Sequence, residues 1–164
     1  MTFLTKHETN QSKMKLPTTP LAILLVILFS SCALRPIPSE HTLVQMDKEQ
    51  TTLDNLGNGK ILIYNDANIL HTGDNTSQLN IVLDGKNLGQ LRAKDYVIVN
   101  LPNGKHIFNL RHLDLVNMRS EHEVTVTDTV KVIRVKPTVT SNKLEVTNEL
   151  PTNWKKYDYM NPGN

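Results

Sequence analysis

An all-β fold, an antiparallel β-sandwich of seven or eight strands over residues 59–150, is what this sequence predicts, on three observations. Runs rich in Val, Ile and Leu recur every 8–15 residues. Turn residues stand between them, as Asn58-Gly59, Asp84-Gly85 and Pro102-Asn103-Gly104. No stretch after residue 58 carries strong helical periodicity. Short strands punctuated in this way are the pattern of two antiparallel sheets packed face to face.

The elements follow in order. KILIY (60–64) is the first strand and HTGDNTS (71–77) a loop. QLNIVLD (78–84) alternates, with Leu79, Ile81 and Leu83 on one face and Asn80 and Asp84 on the other, as a half-buried strand requires. Asp84-Gly85 is a hairpin dipeptide, because glycine takes positive φ without a steric penalty. NLGQL (87–91) follows as a short strand. DYVIVNL (95–101) is β-branched and apolar on both faces, which reads as a central strand. Beyond the turn at Pro102, KHIFNLRHL (105–113) sets His106, Phe108, Leu110 and His112 against Ile107, Asn109 and Arg111. EVTVTD (123–128), TVKVIRV (129–135) and KLEVTN (143–148) complete the set. Residues 41–56 have scattered apolar positions that suit at most a short helix.

NIVLDGKNLGQL, followed by VNLPNGKHIFNL, resembles a pattern of small bacterial envelope domains of the PEGA type and of lipoproteins with a related domain of unknown function. The matching residues are Asp84-Gly85-Lys86, Gly89, Pro102, Gly104, Lys105 and His106, and the resemblance covers residues 59–148. It implies a small Ig-like or PEGA-like sandwich at the cell envelope. These are turn residues, so the motif specifies structure and carries no catalytic group with it.

The N-terminus explains the only cysteine. Leu21–Phe29 is an apolar run of nine residues. A membrane span needs roughly 20, whereas a secretory h-region needs about 7–15. Lys6, Lys13 and Lys15 precede the run against one acid, Glu8, and Ser30, Ser31, Cys32 and Ala33 follow it. Basic, apolar and then small is the order of an export signal. Phe29-Ser30-Ser31-Cys32 resembles the lipobox of bacterial lipoproteins, with Phe29 where an aliphatic residue is usual. The resemblance implies a signal peptide over 1–31, a lipid (palmitate among its acyl groups) on Cys32 and a tether over 32–58. Ala33 in place of Asp implies outer-membrane sorting, with the domain facing the periplasm. A plain secretory signal and an uncleaved anchor remain alternatives, and Met14 is a second candidate start.

Charge narrows the partners. The chain holds 18 Lys+Arg and 16 Asp+Glu, of which residues 1–31 carry three and one, leaving 15 of each from Cys32 onward. A neutral mature domain without a basic cluster argues against nucleic acid. One cysteine allows no intrachain disulfide and no Cys-x-x-Cys zinc site.

Catalytic patterns are weak. His106 and His112 share a strand face but stand about 20 Å apart along an extended strand. His122 lies between Glu121 and Glu123, which face the other way. Gly57-Asn58-Gly59-Lys60 lacks the phosphate-loop spacing, and no Gly-x-Ser-x-Gly elbow occurs. No catalytic residue, metal or cofactor is expected. The tail, residues 151–164, concentrates Trp154, Tyr157 and Tyr159, which suit partner contact or a fold-back over the sandwich. These readings predict a non-catalytic, lipid-anchored envelope protein, an interaction or structural module. Its partners are the membrane, through the lipid on Cys32, and another envelope protein or a glycan. The alternatives are a periplasmic lipoprotein that binds a small ligand or glycan, and a hydrolase or metal-dependent enzyme.

Overall fold

Leu79, Ile81 and Leu83 are fully buried on one face of their strand, KHIFNLRHL (105–113) alternates in the same way beside it, and their apolar side chains fill an interior between two sheets. The computed structural model describes residues 34–67, 77–114 and 116–160. Its strands are β1 (Lys60–Asn65), β2 (Leu79–Leu83), β3 (Lys86–Leu91), β4 (Asp95–Asn100), β5 (Gly104–Leu113), β6 (Asn117–Val126), β7 (Val132–Pro137), β8 (Asn142–Val146) and β9 (Asp158–Tyr159). One sheet has the order β8-β7-β1-β4-β9 and the other β3-β2-β5-β6. The all-β, two-sheet prediction is met.

Ile61 and Ile63 of β1, Val97 and Val99 of β4, and Ile133 and Val135 of β7 face Leu79, Ile81, Leu83, Phe108 and Leu110 of the smaller sheet. Each such side chain, fully buried, contributes about 1.5–3 kcal/mol. The larger sheet has a second apolar face, of Leu62, Tyr64, Tyr96, Ile98 and Val132. That face explains why ILIY (61–64) and YVIV (96–99) carry large apolar or aromatic side chains on both sides of the strand.

The cover of this second face departs from the tether expected at the N-terminal side and matches the fold-back reading of the tail. From Leu34 onward the segment expected to be a tether lies along the sandwich. Leu34 and Leu56 are buried, Leu43 bridges to Val99, and the Val44 N–H donates to the Ile98 carbonyl at 2.8 Å. Val44, Met46 and Leu53 cover the outer face of the larger sheet from one side. Leu150, Trp154, Tyr157 and Tyr159 cover it from the other. An exposed face carrying two tyrosines, two aliphatic side chains and a valine would be costly in water, so both flanks are drawn onto it. The ordered body thus runs well beyond 59–150 at both ends.

Three local differences remain. Residues 41–56 form single 3-10 turns at Lys48–Gln50 and Leu53–Asn55 in place of a helix. β6 begins at Asn117, six residues before the predicted start, because its first half is polar and buries nothing fully until Val124. The larger sheet is mixed, since β1–β7 and β4–β9 pair in parallel.

Candidate functional site

The turn motif comes together as one hydrogen-bonded knot. Asp84 (φ +50°) and Gly85 (φ +78°) form the β2–β3 turn, and positive φ at both positions is what a type I′ hairpin requires. The Asp84 carboxylate accepts from the Ile107 N–H at 2.8 Å, and its other oxygen lies 2.6 Å from His106 Nδ1. His106 Nε2 lies 2.8 Å from the Pro102 carbonyl. His106 therefore stitches the β2–β3 turn to the β4–β5 turn. Burial alone would raise the Asp84 carboxyl, but the bonds from His106 and Ile107 outweigh it and hold it below its ordinary value. Gly89 sits at a register shift in β3, at φ +131°, where a Cβ would come within 2.7 Å of Met160 Sδ. Gly104 opens β5, and a Cβ there would meet nothing. Lys105 is exposed and pairs with Glu123 at 2.8 Å.

The other histidines are not gathered. His112 Nδ1 is 2.7 Å from Asn142 Oδ1, and His122 Nε2 is 2.9 Å from Ser120 Oγ. Cys32 and His71 lie outside the described residues. Among the described residues no group of three or more His, Cys, Asp or Glu side chains is placed to hold a metal ion.

The aromatic tail turns inward. Tyr157 is buried, stands edge-on to Tyr64 at 5.4 Å between ring centres, and donates its hydroxyl to Asp66 Oδ1 at 3.1 Å. Trp154 packs on Tyr96 at 4.5 Å, and Tyr159 meets Tyr96 edge-on at 5.4 Å. Burial pushes the phenols of Tyr64, Tyr96, Tyr157 and Tyr159 up, so all four stay neutral. Lys48 clasps this cover, donating to the carbonyls of Lys155 (2.9 Å) and Tyr157. Of the two readings of these three tail residues, partner contact or a fold-back over the sandwich, the packing against their own sheet matches the fold-back.

The outer face of the smaller sheet is different. It carries an open groove of about 580 Å³, walled on one side by Ile37. Cross-strand register arranges its side chains in two rows. Gln90, Asn80, Arg111 and Arg119 face one another in sequence across β3, β2, β5 and β6. Asn87, Val82, Asn109 and Glu121 form the next row, one pleat away. The Asn80 amide donates to the Arg35 carbonyl at 2.9 Å, and the Gln90 amide to the Leu34 carbonyl at 3.2 Å. The N-terminal segment is thereby fixed along one end of the first row.

Two arginines directly opposite each other repel, a cost that a folded domain usually avoids. Arg111 is steadied by Asn117, whose Oδ1 accepts from Nε at 3.0 Å and Nη2 at 2.8 Å. Neither Arg119 nor Glu121 has an ion-pair partner among the described residues. In contrast, Arg134, beside a smaller pocket, is already paired with Glu145 and with Asp66. The groove therefore offers the unpaired charges of Arg119 and Glu121 and the carboxamides of Asn87 and Asn109. Sequence reading placed Asn80, Asn109 and Arg111 on an outer strand face but did not single them out. The signal that was there is the alternation of MRSEHE, which sets Arg119 and Glu121 on one side. No family model matches this chain, and no curated protein or solved structure is significantly similar to it.

Proposed function

We propose that this chain is a non-catalytic, lipid-anchored envelope protein, an interaction or structural module held by acyl groups on Cys32 and facing the periplasm from the outer membrane. The carrying observation is an asymmetry of cover. Residues 43–56 and the tail are spent on closing the outer face of the larger sheet, while that of the smaller sheet, edged by residues 34–41, keeps an open polar groove with unpaired charge. An open face with paired donors beside a carboxylate suits binding. The basic, apolar, small and Cys order upstream supports the anchor.

The anchor is tested by labelling. Cys32→Ser is expected to abolish incorporation of palmitate into the protein expressed in a bacterium, and unchanged labelling would refute acylation at this residue. The binding face is tested by co-purification with envelope fractions. Arg111→Gln with Arg119→Gln is expected to reduce recovery of the protein's envelope partner, while removing the charge of the remote, exposed Lys143 leaves it intact.

A glycan ligand is the second reading. Asn87 and Asn109 each present a carboxamide, which donates and accepts as a sugar hydroxyl does.

A further inference from the structure

We infer that the groove on the smaller sheet seats the headgroup of a primary-amine phospholipid from the membrane that carries the anchor. The phosphate lies between Arg111 and Arg119 and the ammonium against Glu121. The inference rests on the lipid-anchor reading and names the partner of the same face.

Reach comes first. Cys32 precedes Leu34 by two residues, at most about 7 Å of chain. Leu34 is buried, and its carbonyl and that of Arg35 are bonded to Gln90 and Asn80. Those two side chains belong to the same cross-strand row as Arg111 and Arg119. A lipid on Cys32 therefore enters the bilayer beside one end of the arginine row. No free tether remains to lift the domain clear of the headgroups.

Charge decides the occupant. The first row ends in two opposed guanidiniums, and a guanidinium fork matches phosphate oxygens in pairs. Glu121 stands on the same face of β6, two residues from Arg119 and about 7 Å along the strand. Arg119 and Glu121 do not pair with each other, so both remain available. A positive row beside a negative group fits a headgroup in which phosphate and amine are joined by a short linker. A headgroup bearing only negative charge leaves Glu121 opposed, and a neutral sugar leaves both arginines unmatched. A quaternary amine has no N–H to donate to Glu121, whereas a primary ammonium has three. Asn109 and Asn87 supply amides for the glycerol and ester oxygens, and Val82 and Ile37 give the apolar floor and wall.

The test uses the full-length protein purified with its native lipid and reconstituted in vesicles. Backbone hydrogen exchange is followed in phosphatidylcholine alone, and with phosphatidylethanolamine or phosphatidylglycerol added. Exchange over residues 109–121 is expected to slow roughly tenfold with phosphatidylethanolamine, and less with phosphatidylglycerol. Arg119→Gln should abolish the effect. Glu121→Gln should reverse the preference toward phosphatidylglycerol. Unchanged exchange in β1 and β4 verifies that both variants are folded. Equal exchange in all three membranes would overturn the headgroup site while leaving the anchor intact. The same slowing by inorganic phosphate over phosphatidylcholine vesicles would assign the arginines to a soluble anion and overturn it as well. Failure of the protein to float with any vesicle would remove the anchor reading and this inference together.

Discussion

Asp84 combines a left-handed backbone with a carboxylate that bonds His106 and Ile107, so one residue sets both a turn and a link between turns. Its lowered pKa gives a signed pH dependence. A carboxyl depressed in the folded state adds stability above its unfolded value, near 3.8, and loses it as pH falls through the folded value. Asp84→Asn keeps a residue that tolerates positive φ. It is expected to lower stability at pH 7 by about 1 kcal/mol, with the difference from the parent shrinking below the ordinary carboxylate range. Urea midpoints across acid pH test this, and a gap that widens toward low pH would contradict it. Gly89→Ala meets both a positive φ and the Met160 sulfur, and a loss of about 1–3 kcal/mol is expected. Adding Met160→Ala should restore little, because the backbone strain remains. At this scale the sequence was informative about the turn residues themselves. Glycine and proline act locally, and their constraints are written in neighbouring positions. It was silent about the His106 bond to Asp84, which joins residues 22 apart.

At the scale of elements, the strands with strict alternation were legible, and so were the two apolar on both faces. What alternation omits is pairing. Nothing in VIRV announces that β7 lies parallel to β1, since parallel and antiparallel neighbours bury the same side chains. β6 was half legible for the opposite reason: an edge strand with a wet face has little apolar pattern to show. The N-terminal flank reads as a tether because its apolar residues are sparse and irregular, and the tail allows two readings for the same reason. Both segments cover a face that only the folded sheet creates. Tyr157 is the keystone of that cover, and Tyr157→Ala is expected to cost about 3–5 kcal/mol in chemical denaturation. Tyr157→Phe keeps the ring and removes only the bond to Asp66, for about 1 kcal/mol. Equal losses in the two variants would show that the ring packing contributes nothing. Lys48→Met should loosen the same cover, because both tail carbonyls that Lys48 holds lose their donor.

On the scale of the molecule, stability should be graded outward from the larger sheet. β1 is flanked on both sides and buried on both faces, whereas β6 and β8 are edges. Native-state exchange is expected to be slowest in β1 and β4 and fastest in β8 and the first half of β6. Faster exchange in β1 than in β6 would refute the two-faced core. The groove was the least legible feature of the sequence. Its arginines lie eight residues apart in the chain and meet only through register. The clasp between Lys48 and Tyr157 joins positions 109 apart. A ribosome delivers those positions at opposite ends of synthesis, so the aromatic side stays ajar until the last stretch has emerged. Under the proposed export as an unfolded thread, such lateness would keep the passenger pliable during transit. Stalled nascent chains should accordingly remain open to protease until residue 159 is clear of the tunnel, and protection of chains ending at residue 150 would speak against it.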